Sequence, residues 1–223
     1  MDRREFIKWG SAGLMTLVVS GCAFFTADTA KTADSAPSST PVSGGKSMKI
    51  TVITGSPHKA GTSALLADKF IEGAQSAGHE VYRFNAAFED THPCLGCDRC
   101  GMNGPCVYSD AIENNLMPQM LASDMIVLVT PLYYWGMSAQ LKTVVDRFYA
   151  RSGALHGKKS ILMATAYNSD DWTMDSLTAH YDRLVSYMNW TDVGRVLAIG
   201  CGSRPLIERS EFPNRAYQLG ASI

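Results

Sequence analysis

The sequence has almost no excess of charge of either sign, because 20 Lys and Arg residues are balanced by 21 Asp and Glu residues. It therefore offers no basic surplus for nucleic acid, whose phosphates are bound mainly by clustered Lys and Arg. Its 5 histidines show no pairing at the spacing of metal ligands, and no Ser–His–Asp arrangement is recognisable. These absences argue against nucleic-acid-binding proteins, triad hydrolases and histidine-based metal enzymes.

The apolar run near the start of the chain is too short to span a bilayer, which takes about 20 residues. It extends from Trp9 to Val19 and follows a charged segment that contains the pair Arg3 and Arg4. A charged start, a short apolar middle and small residues before a cysteine are typical of a signal peptide. The paired arginines indicate export by the twin-arginine route. A buried amphipathic helix is the alternative interpretation.

The end of this segment resembles a bacterial lipobox, in which the cysteine is acylated after cleavage. The residues concerned run from Leu17 to Cys22 and read LVVSGC. We therefore expect residues 1–21 to be a twin-arginine lipoprotein signal peptide and Cys22 to carry a lipid anchor. The mature protein would be exported and tethered to a membrane of the cell envelope, on its periplasmic or outer face.

Residues 22–47 are rich in Ala, Thr, Ser, Pro and Gly and contain few large apolar side chains. Such a composition cannot bury enough surface to fold alone, so we predict a flexible tether. Residues 48–223 show no internal repeat and no second linker. We predict one folded domain over that range.

Short apolar runs and helical periodicities alternate through this domain. The predicted strands are Lys49–Thr54, His79–Asn85, Met125–Thr130, Ser160–Ala166 and Asp192–Ile199. The first predicted helix begins at Thr62 or Ser63. The others are Asp110–Leu121, Ser138–Ala150, Met174–Met188 and a short helix around Arg215–Leu219. Five strands in such alternation predict an open parallel α/β sheet with helices on both faces. Ligands of such sheets bind beyond the carboxyl ends of the strands, where the strand order reverses.

The loop after the first strand has the composition of a phosphate-binding turn. It runs from Gly55 to Ser63 and combines glycine, hydroxyl and basic residues before a helix. Unpaired N–H groups and the helix dipole favour an anion at such a helix start. A Walker motif would need Lys at the position of Thr62, and the closer glycine pair of a Rossmann fingerprint is missing. A strand–helix connection with a capping hydroxyl and no ligand is the alternative.

The loop after the third strand carries three consecutive aromatic residues, Tyr133, Tyr134 and Trp135. Aromatic side chains at an exposed strand end are costly unless something flat covers them. A flavin ring would do so, since aromatic faces stack on it and loop N–H groups reach its polar edge. Packing under the next helix or against a dimer partner is the alternative. One nucleotide can bridge both loops only if they lie side by side.

Four cysteines, here called the cysteine quartet, fall within thirteen residues: Cys94, Cys97, Cys100 and Cys106. Glycines between them allow tight turns, so that four thiolates on one short segment can surround a cubane iron–sulfur cluster. Zinc also accepts four thiolates, although well-separated pairs are its commoner arrangement. Disulfides are chemically possible after export, and the segment could also hold no metal at all.

These three segments resemble the NADPH-dependent FMN reductase-like family of the flavodoxin superfamily. The similar runs are Ile53–Ser63, the cysteine segment and Thr130–Gly136, within a resemblance that covers most of residues 48–220. The cysteine spacing is similar to that of the iron–sulfur flavoprotein branch, in which four close cysteines hold one [4Fe–4S] cluster. The resemblance therefore implies the same cluster for the cysteine quartet.

The resemblance also implies a flavodoxin-like strand order, 2-1-3-4-5, with FMN between the first and third strands. It assigns the FMN phosphate to the first loop and the flavin ring to the loop after the third strand, with a third loop beginning at Ala166. The implied cofactor residues are Ser56, Lys59, Gly61, Thr62, Ser63, Pro131, Leu132, Tyr133, Tyr134, Trp135 and Gly136.

The function that follows from the resemblance is that of an FMN-dependent oxidoreductase, in which the flavin carries the chemistry and no side chain is a required acid or base. The electron donor would be NAD(P)H or a protein or membrane partner, and the acceptor a small molecule or protein. Family members often form homo-oligomers, so we expect one here. A flavodoxin-type electron carrier without its own substrate is one alternative, and a cofactor-free lipoprotein scaffold is another.

Overall fold

The computed structural model describes residues 46–223. The predictions of a signal peptide over residues 1–21, of a lipid on Cys22 and of most of the tether lie outside the described residues. Within the described part, no helix is both long enough and apolar enough to cross a membrane.

A parallel sheet forms the centre of the domain. Its strands are β1 (Lys49–Thr54), β2 (Glu80–Asn85), β3 (Met125–Tyr133), β4 (Gly136–Met137), β5 (Lys159–Thr165) and β6 (Thr191–Ala198). The five main strands lie parallel in the order β2-β1-β3-β5-β6, and the two-residue β4 pairs antiparallel with the end of β3. The order of the strands along the chain reverses between β1 and β3, which are parallel neighbours, so the loops after these two strands leave the same edge of the sheet side by side.

In the described part of the chain, six α-helices cover the two faces of this sheet. They are α1 (Thr62–Ser76), α2 (Met117–Ala122), α3 (Ala139–Arg147), α4 (Asp175–Tyr187), α5 (Arg204–Glu208) and α6 (Phe212–Ala221). A π-helical turn, Ile112–Leu116, leads into α2, and single 3-10 turns occupy Phe148–Arg151, Gly153–Leu155 and Asp171–Met174. One hydrophobic core lies under α2, α3 and α4, and the other lies under α1, α5 and α6.

Strand β3 shows why the central run of the sequence is apolar throughout. Met125, Val127 and Val129 belong to the core under α1, whereas Ile126 and Leu128 belong to the core on the opposite face. All five side chains are fully buried. A strand with both faces covered by helices cannot alternate apolar with polar residues, so its sequence is continuously apolar.

Helices α1 and α6 cross at unusually close range through two glycines. A Cβ atom on Gly73 would overlap the backbone carbonyl of Tyr217, and one on Gly220 would overlap that of Phe70. Backbone cannot yield as a flexible side chain can, so the crossing requires glycine at both positions. This contact fixes the C-terminal helix on the sheet.

The predicted flavodoxin-like fold is confirmed, with the predicted order of its five main strands. The structure adds details that the sequence pattern did not reveal. Strand β3 continues to Tyr133 and turns back into β4, and the predicted helix from Asp110 begins with a π turn instead of regular α-helix. The short helix α5 was not predicted, because its five residues are too few for a helical periodicity.

Candidate functional site

The loops after β1 and β3 are fastened together by one buried serine. The Ser138 hydroxyl donates to the Gly55 carbonyl at 2.7 Å, and the Ser138 N–H donates to the Thr130 hydroxyl at 2.9 Å. The Gly55 N–H in turn donates to the Val129 carbonyl at 2.9 Å. A Cβ on Gly55 would overlap the Ser138 Oγ and Leu141, so only glycine fits this turn. The two loops therefore lie side by side.

A cavity of about 770 Å³ opens at this edge of the sheet. Four segments contribute to it, from the ends of β1, β3, β5 and β6. The lining residues are Ser56, Pro57, His58, Lys59, Ala60, Gly61, Thr62, Pro131, Leu132, Tyr133, Thr165, Ala166, Tyr167, Cys201, Gly202, Ser203 and Arg204. Its volume lies within the range of about 300–1,000 Å³ that is usual for small-molecule and cofactor sites.

One end of the cavity is suited to an anion. Helix α1 begins there at Thr62, and no side chain caps its N-terminus. The first N–H groups of the helix therefore face the cavity without an intrahelical partner, and the helix dipole adds partial positive charge. The Thr62 hydroxyl lies 2.9 Å from that of Thr165, which links the first loop to the end of β5. Lys59 and Arg204 supply two cationic side chains.

Arg204 reaches this end from a segment that the sequence analysis did not include in the site. Its Nη1 donates to the carbonyls of Ala60 at 3.3 Å and Gly61 at 3.4 Å. Its Nε donates to Glu208 at 2.6 Å. A signal was present, because Gly200–Arg204 reads GCGSR and repeats the glycine, hydroxyl and basic composition of the first loop. The prediction covered the loops after the first, third and fourth predicted strands, and it did not extend to this turn after the last strand.

Aromatic residues border the other end. Tyr133 lines the cavity, and the next two residues form a two-residue hairpin turn into β4. Both turn residues, Tyr134 at 46° and Trp135 at 60°, have positive φ angles. That conformation strains side chains other than Gly, Asn or Asp, and such strain is concentrated at functional sites. Trp135 is stacked on Trp172, with ring centroids 6.1 Å apart, whereas Tyr134 is 97% exposed.

The structure brings seven of the predicted cofactor residues to the cavity wall: Ser56, Lys59, Gly61, Thr62, Pro131, Leu132 and Tyr133. It does not bring Ser63, Tyr134, Trp135 or Gly136 there. The Ser63 hydroxyl is buried under the first turn of α1 and has no hydrogen-bond partner within the described chain. Gly136 is paired with Tyr133 in the hairpin.

The cysteine quartet surrounds a second, much smaller cavity of about 20 Å³. Among residues 46–223, none of the four thiols is in a disulfide. Residues with positive φ, such as Gly96, Asp98, Gly101 and Met102, wind the segment tightly. The sulfurs do not stand in ligand geometry, since no group of three or more His, Cys, Asp or Glu residues in the described part of the chain could hold an ion. The donor set nevertheless suits a cluster, because four thiols on one wound segment line a common space.

A buried ion pair lies behind this small cavity. Arg147 and Asp110 are 1% and 2% exposed, and the guanidinium donates to both carboxylate oxygens, at 2.7 and 3.1 Å. Burial alone would raise the pKa of Asp110, but the bonds from Arg147 and from the N–H groups of Glu113 and His92 outweigh burial and lower it. Burial likewise opposes the charge of Arg147, yet the contact with Asp110 raises its pKa, and charge on Cys106 adds to the rise.

The sheet and the nucleotide-sized cavity at its reversal point define a flavodoxin-like protein. The sequence profile of the NADPH-dependent FMN reductase family matches residues 48–203. The chain belongs to this family and is a flavin-dependent oxidoreductase, as the resemblance implied.

Relatives of known name agree with this assignment. An iron–sulfur flavoprotein of Archaeoglobus fulgidus is 29% identical over 180 residues, which are 79% of this chain and 79% of the relative. An iron–sulfur flavoprotein of Methanocaldococcus jannaschii is 34% identical over 100 residues, 45% of this chain and 51% of the relative. An FMN-dependent NADH:quinone oxidoreductase of Thiobacillus denitrificans is 28% identical over 100 residues, 40% of this chain and 49% of the relative. The last two matches thus span about half of each relative's length.

Solved structures support the fold. The NAD(P)H:quinone oxidoreductase from Methanothermobacter marburgensis superimposes with a TM-score of 0.62 at 18% identity, over 79% of this chain and 96% of that chain. RosB with a bound flavin-phosphate intermediate superimposes with a TM-score of 0.64 at 11% identity, over 79% of this chain and 77% of that chain. At such low identity these similarities establish the architecture alone.

Proposed function

We propose that the large cavity binds FMN and that the protein passes electrons through it to a small-molecule or protein acceptor. The family supports FMN as the cofactor. One cavity of about 770 Å³ combines an uncapped helix start and cationic residues at one end with the aromatic side chains of Tyr133 and Tyr167 at the other, and this observation carries the proposal. A flavin mononucleotide has the matching polarity, with an anionic phosphate at one end and a flat ring at the other.

The phosphate would lie against the start of α1. The N–H groups around Thr62, the hydroxyls of Ser56 and Thr62 and the charges of Lys59 and Arg204 would bind it. Arg204 would also hold the first loop in shape, because it bonds the carbonyls of Ala60 and Gly61. These residues bind and orient, and none of them needs to exchange a proton.

The ring would lie against Pro131, Leu132 and Tyr133, with Tyr167 beside it. Tyr167 packs on Gly202 so closely that a Cβ there would overlap its ring. These contacts would keep water from one face of the ring and leave the cavity mouth for an electron donor or acceptor. When bound, FMN supplies the redox chemistry of the enzyme.

The cysteine quartet would hold a [4Fe–4S] cluster that carries single electrons to or from the flavin. Relatives that include those of Archaeoglobus fulgidus and Methanocaldococcus jannaschii bear the name iron–sulfur flavoprotein, and the four thiols of this chain line one cavity. NAD(P)H is the donor that the family name suggests. A protein or membrane donor suits the proposed export, since free NADPH is expected to be scarce outside the cytoplasm. A twin-arginine signal, a lipid on Cys22 and a homo-oligomer complete the proposal.

Anaerobic purification of the full chain tests these points together. We expect a flavin absorbance spectrum, release of FMN on denaturation, and iron with acid-labile sulfide. The Cys97→Ser/Cys100→Ser variant should lose iron and keep FMN, because the two cavities are lined by separate residues.

Each failure points to a different part of the proposal. Protein without flavin absorbance after FMN is offered would contradict the oxidoreductase and favour a scaffold. Flavin without iron would reject the cluster alone. Flavin that NADH and NADPH leave oxidised, and that only a protein donor reduces, would favour an electron carrier.

A further inference from the structure

Arg147 carries a buried donor for which the described part of the chain supplies no acceptor. Its side chain is 1% exposed. The two terminal nitrogens are satisfied, since Nη1 donates to the His92 carbonyl at 2.9 Å and both nitrogens donate to Asp110. The Nε–H, however, has no hydrogen-bond partner among residues 46–223. A buried N–H without an acceptor costs free energy. We therefore expect the Arg147 Nε–H to find an acceptor in the cofactor-loaded protein.

The small cavity of the cysteine quartet supplies candidates for that acceptor. Arg147 lines this cavity together with all four cysteines, and it is the single cationic residue among the lining residues of the described chain. Thiolate sulfur accepts hydrogen bonds, and a guanidinium beside it also balances its charge. Cys106 and Arg147 line the same small cavity.

The ion pair also connects both ends of the cysteine segment to α3. His92 lies just before Cys94. Its N–H donates to Asp110 at 3.0 Å, and its carbonyl accepts a hydrogen bond from Arg147. Asp110 itself follows Cys106 and accepts the Glu113 N–H at 3.1 Å as the π turn begins. Arg147 and Asp110 therefore hold together the residues that precede and follow the cysteine quartet.

We propose that Arg147 is a positioning and charge-balancing residue for the cluster, with its Nε–H donated to a cysteine sulfur of the quartet. This rests on the cluster assignment under the proposed function. A cluster with four thiolates is anionic, and reduction adds one electron without making or breaking a bond. Arg147 lines the cavity and Asp110 does not, so the positive end of the ion pair faces the cluster. That orientation and a hydrogen bond to sulfur stabilise the more negative, reduced state. Arg147 should thus raise the reduction potential of the cluster.

The test compares reduction potentials in full-length protein that has been reconstituted anaerobically with ferrous iron and sulfide. The neutral variant is Arg147→Met combined with Asp110→Asn, because removal of Arg147 alone would leave a buried carboxylate uncompensated. The Arg147→Lys variant keeps the charge and loses the planar donor. The matched control, Arg151→Met with Glu113→Gln, removes a neighbouring ion pair that does not line the cavity.

We expect the neutral variant to favour the oxidised cluster at least tenfold, which is about 59 mV for one electron, and the lysine variant to shift less in the same direction. The control should match the wild type. FMN content, iron, sulfide and a mediated titration followed by electron paramagnetic resonance give the readouts. If the neutral variant takes up no iron, the reduction potential of the cluster in the Arg147→Lys variant decides whether Arg147 tunes it.

Two results would overturn this role. Iron-loaded Arg147 variants with the wild-type potential, or a control that shifts as much, would show that Arg147 does not tune the cluster, while the cluster itself would stand. Wild type that binds FMN but no iron would remove the cluster and this role together and leave the flavin proposal intact.

Discussion

Removal of the charge on Arg204 should weaken FMN binding without weakening riboflavin binding. Arg204 lines the cavity at the start of α1 and reaches it from the turn after β6. Riboflavin has the same ring and side chain as FMN but lacks the phosphate. If Arg204 acts through the phosphate, Arg204→Gln must therefore discriminate between the two ligands.

The expected magnitude follows from the environment of Arg204. A hydrogen bond to a charged group contributes about 1.5–3 kcal/mol. The side chain is 36% exposed and is already paired with Glu208, so solvent and the second charge reduce the effect to the lower end of that range. A loss of about 1.4 kcal/mol corresponds to a tenfold weaker Kd for FMN. The Kd for riboflavin should change less than about twofold by the same conversion.

Flavin fluorescence quenching on flavin-free protein measures the Kd of FMN and of riboflavin for the wild type, for Arg204→Gln and for the matched control Arg209→Gln. Arg209 is exposed, directly follows the same short helix and does not line the cavity. An equal loss for both ligands would mean that Arg204 acts by shaping the first loop through its bonds to Ala60 and Gly61. No loss for either ligand would refute the assignment of the phosphate to this end.

Three further predictions concern the fold around the sites. Tyr134→Asn should stabilise the flavin-free protein by about 0.5–1 kcal/mol, because Asn tolerates a positive φ. Tyr134→Val should destabilise the protein, because Val does not tolerate a positive φ. Equal denaturation midpoints for the two variants would contradict strain in the turn. Asp110→Asn should lower the free energy of unfolding at pH 7, and this loss should shrink below about pH 4. The pKa of Asp110 is lower in the folded than in the unfolded protein, so its stabilising contribution is full above the unfolded pKa and is lost as pH falls through the folded pKa. A deficit that stays constant from pH 7 to pH 2 in urea titrations would contradict this prediction. Gly73→Ala should lower the free energy of unfolding by about 1–3 kcal/mol, because its Cβ would overlap the Tyr217 carbonyl. Gln75→Ala, at an exposed position of the same helix, should be nearly neutral. Similar denaturation midpoints for the two variants would disprove the close helix crossing.

The sequence by itself determined the architecture, because burial imposes its own pattern. The run from Met125 to Val129 had to be a central strand, since a strand covered by helices on both faces must be apolar at every position. Alternation with amphipathic helices then left a parallel sheet as the consistent solution. Local composition likewise indicated the two turns at Gly55 and Tyr133 that now line one cavity.

The tertiary structure alone decided which residues of these segments share a space. Ser63 belongs to the expected loop, but the helical rotation turns its hydroxyl under α1 and away from the cavity. Arg204 enters the same cavity from a turn more than a hundred residues further along the chain, and Arg147 meets Asp110 across 37 positions. Local propensity and periodicity are properties of neighbours in sequence, whereas such contacts depend on how complete elements pack, so only the folded chain reveals them.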